Sequence, residues 1–262
     1  MSPTQLSIKN LSVSFGGIKA LTDVSFTVPK NSVVGLIGPN GAGKTTVFNC
    51  ISGLVKSDSG KFEFDGVERA FPKPHELVDL GITRTLQGVG LFNELSVLQN
   101  VMVGADKKYK PNFVKELFGL SGKVEADLKE RAEEALAWVG GASLIDNKPS
   151  ELSYPDSKRV ALARALVINP SLLMLDEPAA GLGQDDIDAL ASLIKQLKRR
   201  CSILIVEHHV DFVREISDSV NVLNFGKLIA SGSYDEVKKN PAVIEAYLGH
   251  TDNPDENSKL GA

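Results

Sequence analysis

The sequence predicts an α/β fold in which an antiparallel β layer leads into a parallel sheet, and three observations carry that expectation. Apolar residues alternate along the N-terminal stretch, the pattern of strands with two distinct faces. A continuous apolar run, Val33 to Ile37, feeds a glycine-rich turn and then a helix over Lys44 to Ser52, as a buried parallel strand does when it enters its crossover helix. Two further apolar runs, Leu172 to Leu175 and Ile203 to Val206, lie on either side of an Ile187 to Arg199 helix, which is the alternation of strand-helix-strand units.

Taken in order, Leu6, Ile8, Leu11, Val13 and Phe15 keep a two-residue spacing with one slip, and Val24, Phe26 and Val28 alternate again before Pro29. Lys61 to Asp65 is a further short alternating strand. Phe71-Pro72-Lys73-Pro74-His75 is expected to be irregular, because each proline pushes its predecessor out of helix. After Gln87 the composition turns helical. Ser96 can cap a segment whose Val97, Leu98, Val101 and Met102 share one face, and Val124 to Val139 carries Leu128, Ala132, Ala135, Leu136 and Val139 at helical spacing. Lys107 to Gly122 is weakly patterned, and the tail 250–262 is polar and not expected to pack.

With 262 residues and 42% hydrophobic content the chain can bury a large core in one or two domains, which excludes disorder as the whole description. The 29 Lys and Arg residues nearly balance 33 Asp and Glu, so the composition offers no electrostatic footprint for nucleic acid. Cys50 and Cys201 are too few for a disulfide framework and suit a reducing compartment as small buried hydrophobes. The apolar runs are strand length, far short of the ~20 residues a membrane helix needs, and the N-terminus lacks the pattern of a secretion signal. A cytosolic chain that reaches a membrane through a partner is the expectation.

The turn after Val33 to Ile37 reads Gly38-Pro39-Asn40-Gly41-Ala42-Gly43-Lys44-Thr45-Thr46 and fits G-x-x-x-x-G-K-[ST] in its required strand-to-helix context. Glycines let successive backbone N–H groups turn toward one anion, and the helix N-terminus adds positive potential. Lys44 can reach β- and γ-phosphates, and Thr45 offers a hydroxyl to Mg²⁺. Average residue frequencies give a chain of this length a chance match on the order of 1% of the time, so the loop reads as a site for a nucleoside triphosphate.

Far downstream, Leu172-Leu173-Met174-Leu175-Asp176-Glu177-Pro178 is an apolar strand ending in two adjacent acids. Asp176 can hold Mg²⁺ through water, while Glu177, one residue on, faces another direction and can polarise an attacking water. A helix cap or strand-exit turn accounts readily for one carboxylate, less readily for a pair that follows a phosphate loop.

In this order the elements resemble the nucleotide-binding subunit of ATP-binding cassette (ABC) transporters, over nearly the whole chain to about Gly249. The resemblance implies a P-loop NTPase (RecA-like) core with an antiparallel β subdomain and an inserted helical subdomain. It divides residues 1–249 into a core of about 1–87 and 166–249 and a helical part of about 88–165. Phe15, in Ser14-Phe15-Gly16-Gly17, matches the aromatic that stacks on adenine, although core packing explains a lone Phe15 equally well. Gln87, closing Arg84-Thr85-Leu86-Gln87, matches the glutamine that senses Mg²⁺ and the transmembrane partner. His208, in Ile205-Val206-Glu207-His208, matches the switch histidine at the γ-phosphate, with adjacent His209 as competitor. The ligands implied are ATP and Mg²⁺. ATP would be held by Phe15, Gly38, Asn40, Gly41, Gly43, Lys44, Thr45 and Thr46, with Ser153 serving the ATP of an opposite subunit.

More narrowly, Gly81 to Gln87, Leu91 to Val101, Asp176 to Leu182 and Val243 to Gly249 resemble the branched-chain amino-acid importer branch, with urea and amide importers close to it. That implies a subunit at the cytoplasmic face of the membrane, working with permease subunits, a second ABC ATPase subunit and, indirectly, a solute-binding protein. Leu91 to Met102 is the candidate surface for the permease, with helical-subdomain core as its plainer reading.

The sequence departs from the family where the signature Leu-Ser-Gly-Gly-Gln becomes Leu152-Ser153-Tyr154-Pro155-Asp156. Proline has no N–H to donate to a phosphate, yet it suits a first helical turn capped by Ser153 or Tyr154. Gly183 stands where the wider family often has Asp. An ATP-binding subunit acting mainly in assembly or regulation, or a soluble P-loop ATPase outside transport, are the alternatives to an importer ATPase.

Overall fold

The computed structural model describes residues 3–85, 88–105 and 121–248. In chain order its strands and helices are β1 (Thr4–Phe15), β2 (Ile18–Pro29), β3 (Val33–Ile37), α1 (Lys44–Ile51), β4 (Ser59–Phe64), β5 (Val67–Arg69), α2 (Leu77–Leu80), β6 (Ile82–Arg84), α3 (Val97–Met102), α4 (Ser121–Trp138), α5 (Tyr154–Leu166), β7 (Leu172–Asp176), α6 (Gln184–Leu197), β8 (Ser202–Val206), α7 (Val210–Ile216), β9 (Ser219–Asn224), β10 (Lys227–Gly232), α8 (Tyr234–Val237) and α9 (Pro241–Leu248). The described residues form two compact units, one within Met1–Pro74 and Ile194–Ala262 and the other within His75–Leu193.

In the first unit β2, β1, β4 and β5 make a four-stranded antiparallel sheet in that order. The slip in the apolar spacing of β1 is a real register shift between Ile8 and Leu11, where Asn10 takes a positive φ of 55°. An extra residue at such a bulge restores the inward face, and Leu6, Ile8, Leu11 and Val13 are all buried. The same unit places β3 between β8 and β9 as parallel neighbours, with β10 antiparallel on β9. Every residue of β3 and β8 is buried, as expected for central parallel strands covered on both faces. Each fully buried Val, Leu or Ile there stabilises the unit by roughly 1.5–3 kcal/mol.

The second unit pairs β6 with β7 in parallel and packs α3, α4 and α5 against one another. Ser96 caps α3 as expected and completes a capping box with Gln99. Val97 and Val101 are buried, as are Ala132, Ala135 and Leu136 on α4. Strands β6 and β7 share the second unit with these helices. Most of Lys107 to Gly122 and the whole polar tail lie outside the described residues. Among the described residues no helix is long and apolar enough to cross a membrane.

Candidate functional site

In the first unit the phosphate-loop sequence runs directly from β3 into α1, and three of its glycines hold backbone conformations that L side chains avoid. Gly38, Gly41 and Gly43 have φ of 147°, 78° and 104°. Gly38 is also sterically fixed, since a Cβ there would lie 2.1 Å from the Leu223 carbonyl oxygen on β9. Gly43 is the N-cap of α1 and supplies no side chain to cap it. The first-turn amides of a helix have no intrahelical partner, so the glycine cap leaves this end suited to an anion. Lys44 is buried, and its Nζ donates to the carbonyls of Gly38 at 2.6 Å and Pro39 at 2.9 Å. The ammonium is thereby held against its own loop. Asn40 and Thr45 are exposed and Thr46 is half-buried.

Two more predicted residues belong to this unit. Phe15 ends β1 opposite Ile18 at a Gly16-Gly17 turn, and at 51% exposure it is not a core residue. His208 follows β8 with its side chain 60% exposed, while Glu207 beside it is fully buried. The Glu207 carboxylate accepts from the backbone N–H groups of His208 at 3.0 Å and His209 at 3.2 Å, fixing the turn. The two histidines then separate: His209 is the N-cap of α7, its Nδ1 accepting from the Phe212 N–H at 3.3 Å.

The acid pair lies in the second unit. Asp176 ends β7 with its side chain 6% exposed, and Arg84 at the end of β6 donates to its Oδ2 from Nη2 at 2.6 Å. The Asp176 N–H donates to Thr85 Oγ1 at 3.3 Å and the Thr85 N–H to Met174 O at 3.0 Å, so the two strand ends are also tied beside the ion pair. Glu177 takes φ of +46°. A left-handed conformation at a residue other than glycine costs of order 1–3 kcal/mol and persists only where surroundings impose it. The extended path of β7 therefore ends at Asp176.

Ser153 caps α5 as expected, and Pro155 sits in the first turn. The Ser153 hydroxyl accepts from the Asp156 N–H at 3.2 Å and donates its proton to Asp156 Oδ2 at 2.6 Å. Arg159 holds the other Asp156 oxygen at 2.9 Å and reaches Asp186 at 3.3 Å. The Asp156 charge is therefore compensated within the segment. Gln87 lies outside the described residues.

Sequence reasoning passed over Arg84 as a site residue and did not single out Lys158, whose Nζ grips the loop after Glu177. No local spacing points to Arg84, which lies 92 residues before Asp176. Burial raises the Cys50 thiol to about 11 and the Cys201 thiol to about 12, which keeps both protonated and inert near neutral pH.

Comparison with known proteins places this geometry in a family. Residues 21–180 match the ABC transporter family model, and residues 227–253 match that of the branched-chain amino acid ATP-binding cassette transporter. The chain is 36% identical to the high-affinity branched-chain amino acid transport ATP-binding protein BraF of Pseudomonas aeruginosa, over 95% of this chain and 99% of the relative. It is 36% identical to LivG of Escherichia coli with the same coverage. A crystal structure of the ADP conformation of an ABC transporter cassette superposes with a TM-score of 0.82 at 33% identity, covering 94% of this chain and 99% of that one. The chain belongs to the ABC transporter family, as an ATP-binding subunit of the branch that contains BraF and LivG.

Proposed function

We propose that this chain binds and hydrolyses ATP to drive import of a branched-chain amino acid or a related amide or urea, at the cytoplasmic face of a membrane. The observation that carries the reading is the glycine-capped start of α1 with the buried Lys44 folded onto the same loop. In this reading Lys44 and the loop around Gly38, Asn40, Gly41, Gly43, Thr45 and Thr46 take the phosphates, and exposed Phe15 stacks on the base. Glu177 orients water for in-line attack on the γ-phosphorus, and His208 contacts the γ-phosphate.

Thr45, Gln87 and Asp176 are the residues that would hold Mg²⁺. Thr45 and Asp176 are oxygen donors, the class Mg²⁺ takes, and such a cation is usually held by one or two carboxylates together with substrate phosphates. When bound, Mg²⁺ neutralises charge on the phosphate oxygens. Two ATPase subunits close over ATP, and the differential affinity of ATP for the closed pair is the energy available to the permease. Phe92, 52% exposed, is offered from a turn that the buried Asn100 side chain fixes through the backbone of Phe92, Leu95 and Ser96, and it suits the permease contact.

The test is reconstitution with a permease and a solute-binding protein. ATP-dependent leucine uptake that Glu177→Gln stalls while retaining ATP binding supports the proposal, and parental turnover in that variant contradicts it. A second reading has its own observation. Pro155 lacks an N–H and the Ser153 proton is committed to Asp156, so this chain's signature is a poor anion donor toward a partner's ATP. In a heterodimer its own phosphate loop would turn over against the partner's signature, and the opposite site would serve mainly assembly.

A further inference from the structure

The loop that follows the acid pair is gripped by one ammonium. Lys158 Nζ donates to the carbonyls of Glu177 at 3.3 Å, Pro178 at 2.8 Å and Ala180 at 2.6 Å. An ammonium has three N–H donors, so the loop backbone can occupy all of them. Below the ammonium lies the Tyr154 ring, 5.2 Å away at its centroid, and the Tyr154 hydroxyl donates to Ala180 O at 3.4 Å. Gly181, at φ +75°, is pressed so closely on that ring that a Cβ would lie 3.0 Å from Cε1. Within the loop, Ala180 N–H returns to Glu177 O at 3.2 Å and Leu182 N–H to Ala179 O at 3.1 Å.

We infer that Lys158 is a positioning residue that sets the direction of Glu177 and ties it to the helix start carrying Ser153. The inference rests on the ATPase reading above and deepens it. Glu177 has an unfavourable left-handed backbone that its surroundings must hold, and the bonds to its own carbonyl and to those of the residues that follow are a direct way to hold it. Pro178 contributes no N–H for an internal bond, whereas the carbonyls of 177, 178 and 180 converge on one charge, and charge-assisted bonds of this kind are the stronger ones. Because a side chain leaves from its Cα, fixing the Glu177 backbone fixes the cone its carboxylate can sweep. Lys158 and Tyr154 are one turn apart on α5, so a shift at the helix start that Ser153 caps is passed to Glu177 by a bonded path rather than by loose packing.

The experiment compares, each assembled with its permease and partner ATPase subunit, the parental chain with Lys158→Met, which keeps the apolar stem and removes the charge, and Lys158→Arg, which keeps the charge. Three quantities are read: ATP turnover, Mg-ATP affinity, and amide hydrogen exchange in peptides covering 177–183 and 38–46. The expected result for Lys158→Met is turnover lower by about 10- to 100-fold, the scale of a small misplacement of a reacting group. Affinity stays within about twofold, exchange quickens in 177–183 alone, and Lys158→Arg recovers part of the turnover. Parental turnover in Lys158→Met, or unchanged exchange in 177–183, overturns the inference. If Lys158→Met does not fold, Lys158→Arg decides: lower turnover at unchanged affinity supports the inference, and parental turnover with faster loop exchange contradicts it. A parental assembled complex without turnover refutes the ATPase reading instead, and the exchange measurement then decides the clamp by itself.

Discussion

The Arg84 guanidinium meets the Asp176 carboxylate at 2.6 Å, with the side chains 10% and 6% exposed. Removing one partner of a buried ion pair strands the other charge, whereas replacing both by apolar groups is often nearly neutral. Arg84→Met is therefore expected to lower stability by about 3–5 kcal/mol in urea unfolding. Adding Asp176→Leu should recover most of that loss while abolishing ATP turnover. Recovery of turnover in the double variant would remove Asp176 from the chemistry.

The adjacent histidines should fail in different ways. His208 is exposed and follows the buried Glu207, while His209 caps α7. His209→Ala is expected to cost about 0.5–2 kcal/mol of stability, the usual worth of an N-cap, with a modest effect on turnover. His208→Ala should leave the unfolding midpoint in place and lower turnover strongly. Paired thermal melts and ATPase assays distinguish the roles, and the reverse pattern would assign the switch to His209.

Glycines of the phosphate loop are required for unequal reasons. At Gly41 a Cβ meets nothing within 4 Å and only the left-handed φ of 78° is strained, so Gly41→Ala should cost about 1–2 kcal/mol. At Gly38 the added carbon would strike the Leu223 carbonyl at 2.1 Å. Gly38→Ala should cost more than about 3 kcal/mol, and weaken nucleotide binding along with stability. Unfolding and binding measured on both variants check the contrast.

In the signature segment, Pro155→Gly restores an N–H at the helix start. ATP turnover of the assembled complex should rise if the opposite site is held back by this chain. Asp156→Asn should add to the gain, since it leaves the Ser153 hydroxyl a weaker acceptor to serve. Unchanged turnover in both variants would remove the argument for asymmetric sites.

What the sequence made legible follows the range of the interaction. The step from β3 through the glycine turn to α1 is written in neighbouring residues, and so is the Ser96 capping box. The register shift at Asn10 shows in the sequence as one irregular apolar spacing. By contrast β6 is three residues long and carries no period. In β9 the apolar pattern is interrupted by Asn221, itself buried. The contacts that shape the acid pair are long-range: Arg84 and Asp176 are 92 residues apart, and Lys158 reaches carbonyls 19 to 22 residues ahead. No local spacing encodes them. For Phe15 the sequence left two readings, and only solvent exposure separates them.

Every role proposed for this polypeptide depends on a magnesium-complexed nucleotide being held through its Lys44 loop. Isothermal titration of the full-length chain with Mg-ATP, beside Lys44→Ala, tests it most directly. A saturable site is expected in the parental chain and should be lost or strongly weakened in the variant, with both proteins melting as folded chains. No binding by the parental chain, or equal binding by both, would contradict it.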